Sequence, residues 1–410
     1  MVKNSNHYWA EFLQPTHEAA MRRAAAVKPI HYAKTRNFLD GGVTGLSPYL
    51  THGLITLPEV LRVLLERESL GIDHKLVYEF GWREFYRHVW THAGDGIFQS
   101  LHEGPLDEAV YKKELPHDVR HADTGIPVID EAIRTLYDTG TLHNHARMWL
   151  ASYVVHIRKV HWRVGADWLV AHLLDGDLAS NHLSWQWVAG TGSHKPYLFN
   201  AENVARYAPA QWHSPQSVID RSYDELDDIA RSTKSYDGLV KRNADDRERG
   251  RDEPAVSSEP PSDLTWCRPS AADVERIAGR DVWLVHPWAL RQPPANLAAN
   301  TLVLGVYLRD HHDDWPWSDT RWRWVDAAMS AITPHRWLLS VDDLSVALEK
   351  ARHVRSIDDH HVHHLLAKLA ELEPAPGLFA PVARRCSSFT TWWKQATRGL
   401  TQAEELLKNS

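Results

Sequence analysis

The sequence is poor in cysteine, with only Cys267 and Cys386 among its 410 residues. Two cysteines cannot build a disulfide framework or ligate an iron–sulfur cluster by themselves, which excludes both of these protein classes. No apolar run is long enough to cross a bilayer, and the first ten residues lack the pattern of a signal peptide. These features predict a cytoplasmic protein with no membrane partner.

The chain also lacks an excess of positive charge, since 46 Lys and Arg residues stand against 53 Asp and Glu residues and the formal net charge is −7. Such a chain is not expected to coat DNA indiscriminately, so any affinity for nucleic acid must come from a local patch. Arg158, Lys159 and Arg163 lie close together beside Trp162. They form either part of such a patch or a solvated helix face, and composition alone leaves the partner open.

Tryptophan and histidine, by contrast, are abundant, with 19 and 27 copies. Tryptophan can fill a core, but it also suits a protein that stacks on bases or conducts electrons. The content of 43% hydrophobic and 24% charged residues is ordinary for a globular protein. A chain of this length can form two or three domains.

The apolar pattern divides the chain into three parts. Up to about residue 215 apolar residues recur at three- and four-residue intervals, which predicts helices, and residues 146–160 are apolar nearly all round, which predicts a buried central helix. Mixed charges with Ser and Pro then predict a linker. The predicted boundaries are 1–222 for a helical domain, 223–262 for the linker and 263–410 for a second domain.

The second domain has a different period. Short β-branched runs at 281–286 and 301–308 alternate with helical segments, and further short strands are expected at 336–340 and 352–357, followed by a helix over 358–372. Alternation of strands and helices predicts a parallel, doubly wound sheet. The predicted fold class is therefore an α-helical domain followed by a smaller α/β domain.

Polar groups are concentrated in the otherwise apolar stretch 138–200. Asn144, Arg147 and Met148 have the spacing of one helix face. Asp175, Asp177 and Asn181 follow, with Trp185 and Trp187 close behind. Polar groups are buried only when they have partners, and a bound polar aromatic ligand is one candidate partner.

This stretch resembles the FAD-binding domain of the DNA photolyase/cryptochrome family. The resemblance covers roughly half of the chain, in the family's order, through the motifs FLQPTHEAAMRRA, HYAKTRN, TGLSPYL, EFGWREFYRHVW, TGIPVIDEAIRTL, TGTLHNHARM, HWRVGADW and DGDLASN. The second half is similar to the family's α/β domain, through WLVHPWALRQPP and CSSFTTWWKQATRG. That domain usually comes first, so we interpret the chain as circularly permuted. The alternative is an unrelated α/β domain added by fusion.

The resemblance implies FAD as the cofactor and leaves the second antenna chromophore unknown. Ser47 also suits a helix N-cap and Pro48 a first helical position, a pattern that binds phosphate or merely caps a helix. Gly45 departs from the family, which usually has a larger polar or basic residue there. The implied cofactor-binding residues are Tyr32, Thr44, Gly45, Leu46, Ser47, Asn144, Arg147, Asp175, Asp177 and Asn181. Arg147 and Asp175 are expected to pair, whether beside the flavin or as a structural ion pair.

The resemblance also implies a photoreduction chain. Trp185 and Trp162 match its first two members, which pass an electron to excited flavin, although both can equally be core residues. Ala109 aligns with the third member, and Tyr111 lies close by as a candidate terminal donor. Asn181 matches the residue that faces the reactive nitrogen of the flavin, where a neutral amide cannot act as a strong acid.

The implied partner is damaged DNA carrying a pyrimidine dimer. Glu79, Trp82, Arg83 and Tyr86 have the spacing of one helix side. The residues implied to bind the flipped dimer are Glu79, Trp82, Arg83 and Met148, and those implied to act in catalysis are Trp185, Trp162, Glu79 and Asn181. An amphipathic helix with a buried tryptophan is the alternative. Leu76 and Thr141 replace tryptophans that many photolyases have, which predicts a wider pocket or a different substrate.

Three functions remain open at this point. The leading one is a light-dependent lyase that splits cyclobutane pyrimidine dimers by electron transfer from reduced flavin. The second is a cryptochrome-like photoreceptor, and the third is a scaffold without flavin. The histidines of DDHHVHH, among which His360 and His364 are four residues apart, are interpreted as a solvated helix and not as a metal site.

Overall fold

The computed structural model describes residues 13–193, 195–236, 250–264, 266 and 268–408. They pack as two compact units. The first contains the described residues of Lys28–Val43 and Phe85–Pro254, and the second contains those of Trp9–Val27, Thr44–Glu84 and Ala255–Ser410. The division at 222 and 262 stays a prediction. None of the helices in the described ranges is long and apolar enough to span a membrane.

The helices and strands follow one another as the apolar pattern indicates. The α-helices are α1 (His17–Ala26), α2 (Pro29–Thr35), α3 (Ser47–Thr51), α4 (Leu57–Leu65), α5 (Lys75–Ala93), α6 (His117–Arg120), α7 (Pro127–Thr139), α8 (Asn144–Ser152), α9 (Trp162–His172), α10 (Leu178–Ala189), α11 (Ala201–Tyr207), α12 (Tyr223–Arg231), α13 (Ala271–Glu275), α14 (Arg309–Asp314), α15 (Asp319–Ser330), α16 (Val341–Leu348), α17 (His363–Leu366) and α18 (Phe389–Ala396). The strands are β1 (Val256–Ser257), β2 (Asp281–Val285), β3 (Leu302–Leu308), β4 (Trp317–Ser318), β5 (Arg336–Leu339), β6 (His353–Ile357) and β7 (Glu371–Glu373).

Helix α7 illustrates how local sequence sets an element. Pro127 occupies the start of the helix, where its missing N–H costs nothing, and Gly140 ends it in a left-handed conformation with φ of 65°. The buried side is continuous, because its apolar residues return every three or four positions. These buried residues are Val128, Ile129, Ala132, Ile133, Leu136 and Tyr137.

The predicted central helix is buried but not uniform. Helix α8 continues directly into a π-helix, Tyr153–Ile157, in which every residue is buried. A π-turn is wider than an α-turn and is found mostly as a short insertion, often near functional sites. It lies between α8 and α9, two helices that carry predicted site residues.

The linker prediction is wrong at its start. Residues Tyr223–Arg231 form α12, which begins with a reciprocal capping box between Ser222 and Glu225. Leu226, Ile229 and Ala230 are buried on one side of this helix, so it belongs to the core. Residues 237–249 of the predicted linker lie outside the described residues.

The parallel, doubly wound sheet is confirmed. Its five strands have the order β5-β3-β2-β6-β7, and all neighbouring pairs are parallel. The first strand of this sheet, β2, is central, and the chain winds outward first on one side and then on the other. The helix expected over 358–372 is shorter than predicted, because only α17 forms and residues 371–373 make the edge strand β7.

Candidate functional site

An ion pair joins Arg147 in the N-terminal half of α8 to Asp175. One guanidinium nitrogen of Arg147, Nη2, donates to both carboxylate oxygens of Asp175, at 2.8 and 2.9 Å. Nε of Arg147 donates to the backbone oxygen of Leu142 at 2.8 Å. The Asp175 side chain is only 8% exposed, whereas that of Arg147 is 26% exposed. The expected pair is therefore present, with its carboxylate buried and its guanidinium partly accessible.

Two turns hold this pair in place. Gly140 ends α7, and its backbone oxygen accepts a hydrogen bond from the N–H of Leu174 at 2.7 Å. This bond ties the loop before Arg147 to the loop that carries Asp175. A Cβ at Gly140 would lie 2.7 Å from Leu174 Cγ, so glycine is needed for the close approach as well as for the positive φ.

Asp177 and Asn181 both form hydrogen bonds within the protein. Asp177 is 3% exposed and caps α10, since its Oδ1 accepts from the N–H of Ser180 at 2.8 Å. The amide nitrogen of Asn181 donates to the backbone oxygen of Ala166 in α9 at 2.9 Å. This bond fixes which end of the amide points away from α9. A cap and a helix-to-helix bond thus orient both side chains before any ligand arrives.

The remaining predicted cofactor residues of the first unit are more accessible. Tyr32 lies on α2 and is partly buried. Asn144 is exposed at the start of α8, and its amide nitrogen lies 3.7 Å from the sulfur of Met148. Met148 is partly buried against the hydrophobic core. The predicted helix-face spacing of Asn144, Arg147 and Met148 is confirmed.

Trp185 and Trp162 are both in the core of the first unit. Their exposed fractions are 2% and 3%. Trp185 packs on α9 where a glycine allows it, because a Cβ at Gly165 would lie 2.3 Å from the indole ring. The indole N–H of Trp162 donates to Ser100 Oγ at 2.9 Å. Both indoles are therefore held rigidly, as a core role and an electron-transfer role would each require.

A small pocket lies beside Trp162, and Tyr111 is among its lining residues. The rings of Trp162 and His161 are 5.6 Å apart between centroids, and those of His161 and Tyr111 are 6.3 Å apart. Burial, and then the negative charge of Glu108, raise the pKa of Tyr111 to about 12. The phenol therefore stays protonated at neutral pH. Ala109, the aligned position, is exposed and has no ring.

An exposed tryptophan lies close to the predicted site residues in the sequence but is not one of them. Trp187 lies on α10, two residues after Trp185, and is 41% exposed. Its ring is 5.5 Å from that of Tyr197, with a tilt of 33°. An exposed tryptophan on a helix of otherwise buried residues offers a stacking surface. The sequence shows two tryptophans two residues apart, but apolar periodicity does not indicate which of them is buried.

The segment 44–47 belongs to the second unit. The prediction that Ser47 caps a helix there is wrong. Helix α3 begins at Ser47, and no side chain caps it. Instead Thr44 Oγ1 accepts from the N–H of Leu46 at 3.3 Å. Pro48 does occupy the first turn, as predicted. Because α3 has only five residues, its dipole is short and adds little to anion binding.

Arg23 of α1 compensates for the small residue at position 45. Gly45 has φ of +61°, and a Cβ there would lie 2.4 Å from Nη1 of Arg23. The guanidinium thus occupies space that a side chain at position 45 would need. Arg23 also lies near Tyr49, whose pKa is raised by burial and lowered in part by the Arg23 charge. A basic group is therefore present at this segment, supplied from another helix.

We expect Gly45→Ala to lower the free energy of unfolding by about 1–2 kcal/mol from backbone strain, with a further loss from displacing Arg23. Gly94→Ala is the matched control, since Gly94 has φ of +53° and its Cβ would meet nothing within 4 Å. Urea unfolding of both variants, with and without Arg23→Ala, separates the two contributions. If Gly45→Ala costs the same with and without Arg23, the guanidinium is not what the new methyl group displaces.

The predicted substrate residues of α5 form one side of the helix, as expected. Glu79, Trp82 and Arg83 are all partly buried. Nη2 of Arg83 donates to Thr51 Oγ1 at 3.0 Å, so the guanidinium has a partner in its own unit. Trp82 stacks on Phe389, with ring centroids 4.1 Å apart and planes 11° from parallel. The tryptophan is thus neither a simple core residue nor fully exposed.

Leu76 and Thr141, which replace tryptophans of the family, are packed like ordinary residues of their helices and turns. Leu76 is 1% exposed within α5. Thr141 follows the C-terminal glycine of α7, and its hydroxyl lies 2.9 Å from that of Thr139. Whether these smaller residues widen a substrate pocket stays a prediction.

The basic patch beside Trp162 is not a surface feature. Arg158 is 3% exposed and forms two hydrogen bonds to the carboxylate of Asp118, at 2.7 and 3.0 Å. Lys159 is 1% exposed, and its ammonium group donates to the backbone oxygens of Ile229 and Ala230 at the end of α12. Burial lowers the pKa of Lys159 to about 8. Both earlier interpretations, a DNA patch and a solvated face, are wrong for these two residues.

The histidine run after β6 is also partly buried. His361 is 3% exposed, with Nδ1 2.6 Å from Oδ1 of Asp359, and its ring stacks on Trp288 at 4.5 Å. His363 Nδ1 lies 2.8 Å from Oδ1 of Asp358. The solvated-helix interpretation is therefore wrong for His361. Within the described ranges no group of three or more His, Cys, Asp or Glu side chains is arranged to hold a metal ion.

Part of the helical region is similar to known proteins. Residues 76–231 match the family model described as "FAD binding domain of DNA photolyase". The deoxyribodipyrimidine photo-lyase of Synechococcus sp. is 34% identical over 193 residues, which cover 43% of this chain and 38% of that protein. The corresponding protein of Escherichia coli is 32% identical over 179 residues, covering 42% and 38%.

A solved structure gives a partial match as well. The cryptochrome of Synechocystis sp. is 27% identical, with a TM-score of 0.42, and the match covers 47% of this chain and 43% of that one. The chain spans about two fifths of the length of the curated relatives it matches. The matched family region includes α5, the Arg147–Asp175 pair and both core tryptophans.

Proposed function

We propose that this chain, whose residues 76–231 match the family model for the FAD-binding domain of DNA photolyase, is a light-dependent, FAD-containing DNA repair lyase. Its substrate would be damaged DNA carrying a cyclobutane pyrimidine dimer. The observation that carries the proposal is that the family match includes both the Arg147–Asp175 pair and the α5 side with Glu79 and Trp82.

FAD is the cofactor that the matched family model names, and the residues of the first unit suit a flavin. A flavin ring system needs hydrogen-bond partners along its polar edge and a rigid apolar surround. Arg147 offers a partly exposed guanidinium that is already oriented by Asp175 and Leu142. Asn181 is oriented by its bond to α9. Preorientation of this kind lowers the entropy cost of binding.

The segment 44–47 of the second unit suits a phosphate group. The absence of a side chain at Gly45 lets Arg23 bring a permanent positive charge close to the backbone of this segment. A guanidinium is well matched to phosphate oxygens because it can donate two hydrogen bonds in one plane. We therefore add Arg23 to the residues proposed to bind the FAD diphosphate.

When bound, FAD supplies the light-absorbing electron donor of the proposed reaction. Trp185 and Trp162 have indole rings, which are among the most easily oxidised side chains, and both are excluded from solvent. Tyr111 is the proposed third donor, reached through the neighbouring ring of His161. Because its phenol is protonated at neutral pH, its oxidation must release a proton.

Glu79 and Trp82 are the proposed contacts to the flipped pyrimidine dimer. An indole face stacks on a base, and a carboxyl group can bond the polar edge of a pyrimidine. Arg83 and Met148 remain proposed contacts, although Arg83 already bonds Thr51. Interactions that strengthen only after electron transfer raise the rate more than the affinity, which is the role proposed for Glu79.

The proposal is tested by illuminating the reduced protein with DNA that contains thymine dimers and measuring restored thymine. Trp82→Ala is expected to cost about 1–3 kcal/mol of binding free energy, the usual scale for one aromatic–base stack. Glu79→Gln is expected to lower the repair yield per bound dimer more than the affinity. Glu66→Gln, an exposed carboxylate at the end of α4, is the matched control.

Equal affinity of the wild-type protein for damaged and undamaged DNA would contradict the proposal. Photoreduction of the flavin without repair would instead favour the photoreceptor alternative. In that case the smaller residues Leu76 and Thr141 would be the first positions to examine.

A further inference from the structure

A C-terminal segment of the chain docks on the side of α5 that carries Trp82. The carboxylate of Glu84 accepts backbone hydrogen bonds from Leu378 at 2.6 Å and from Phe379 at 3.1 Å. Further along, the N–H of Ile72 donates to the backbone oxygen of Thr401 at 3.0 Å. The segment is therefore attached near both ends of this part of α5, and α18 lies between the two attachment points.

The approach of α18 is close because α5 has a glycine at the contact. A Cβ at Gly81 would lie 2.4 Å from the ring of Trp393, so even alanine would force the two helices apart. The ring of Tyr78 meets the edges of Phe389 and Trp393, with centroids 4.6 and 5.0 Å away. These contacts form an aromatic layer around Trp82, and they leave Phe389 only 4% exposed.

Within this layer, Phe389 stacks directly on Trp82. The two rings are nearly parallel, 11° apart, with centroids separated by 4.1 Å. An indole has two faces, so this stack uses one of them. Trp82 nevertheless remains partly exposed. A base that stacks on Trp82 would therefore contact an indole whose plane is already fixed by Phe389.

We propose that Phe389 is a positioning residue for substrate: it holds the indole of Trp82 in the plane on which a flipped pyrimidine stacks. This inference rests on the proposed function, because it assumes that Trp82 receives the base. Stacking in advance removes the rotational freedom that the indole would otherwise lose on binding. It also makes a residue of the C-terminal part of the chain necessary for recognition by the matched family domain.

The test is Phe389→Leu, which keeps an apolar side chain of similar size but removes the aromatic stack. Affinity for thymine-dimer DNA is expected to fall by about two- to tenfold, the equivalent of one lost aromatic pair. The repair yield per bound dimer is expected to be unchanged, because Phe389 does not touch the reacting bonds. Binding titrations and single-turnover repair at saturating protein measure the two quantities separately.

Phe379→Leu is the matched control, since Phe379 lies in the same segment and contacts the rings of Trp392 and Trp393. It should lower thermal stability to a similar extent without changing the preference for damaged DNA. An unchanged affinity in Phe389→Leu, or the same loss in Phe379→Leu, would overturn the positioning role. Tighter binding in Phe389→Leu would overturn it as well, because Phe389 would then compete with the base.

Failure of the proposed function and failure of the positioning role give different results. If the wild-type protein does not prefer dimer-containing DNA, the proposed function fails and this inference fails with it. If the wild-type protein shows the preference and Phe389→Leu retains it in full, only the positioning role is lost.

Discussion

Asp175→Asn is expected to give a folded protein that loses most of its flavin colour on purification. The substitution keeps the shape of the side chain but removes the charge that orients Arg147. Hydrogen bonds to charged groups contribute about 1.5–3 kcal/mol, which corresponds to an FAD affinity about 10- to 100-fold weaker. Flavin absorbance per protein after dialysis against a range of FAD concentrations measures this loss.

The stability cost of the same variant is expected to be moderate. Breaking a fully buried ion pair costs about 3–5 kcal/mol, but Arg147 is partly exposed and can regain solvent, so about 1–3 kcal/mol is expected. Glu131→Gln is the matched control, since Glu131 pairs with Arg134 at 2.7 Å elsewhere in the first unit. Full retention of FAD in Asp175→Asn would mean that the pair is structural only, as one reading of the sequence allows.

Trp185→Phe is expected to abolish or greatly slow photoreduction while FAD stays bound. A phenyl ring is much harder to oxidise than indole but fills much of the same space. That second property matters, because Trp185 is 2% exposed and packs on Gly165, and truncation to alanine would cost about 3–5 kcal/mol of stability. The measurement is the rate of flavin reduction under blue light with an external reductant.

Trp168→Phe is the comparison for this variant. Trp168 is also buried on α9, but it bonds Tyr137 and is not part of the proposed chain. Its substitution should leave photoreduction unchanged. Normal photoreduction in Trp185→Phe would show that electrons arrive by another route, and an equal loss in Trp168→Phe would point to general damage of the core.

Local features of this protein could be predicted well from the sequence. The apolar spacing of α5 and α7, the buried stretch after Arg147 and the strands β2, β3, β5 and β6 all form as expected. Each depends on the period of apolar residues or on a nearby proline or glycine, so the information lies within one segment. The Arg147–Asp175 pair is predicted only by the family resemblance, because no local rule connects a helix residue with a loop residue that is 28 positions away.

Predictions from the sequence are wrong where a residue is buried by partners far away in the chain. Arg158 and Lys159 look like surface charges in sequence, but Asp118 and the last carbonyl groups of α12 bury them.

The sequence by itself determined the helical and α/β parts of this protein and the residue types of its candidate site. Only the tertiary structure decided that Arg23 occupies the space beside Gly45 and that Phe389 stacks on Trp82. The physical reason is that secondary structure follows short-range periodicity and backbone preference, which a segment carries with it. A contact between distant segments depends instead on which surfaces remain after each has buried its own apolar side, and that is settled only when the chain has packed.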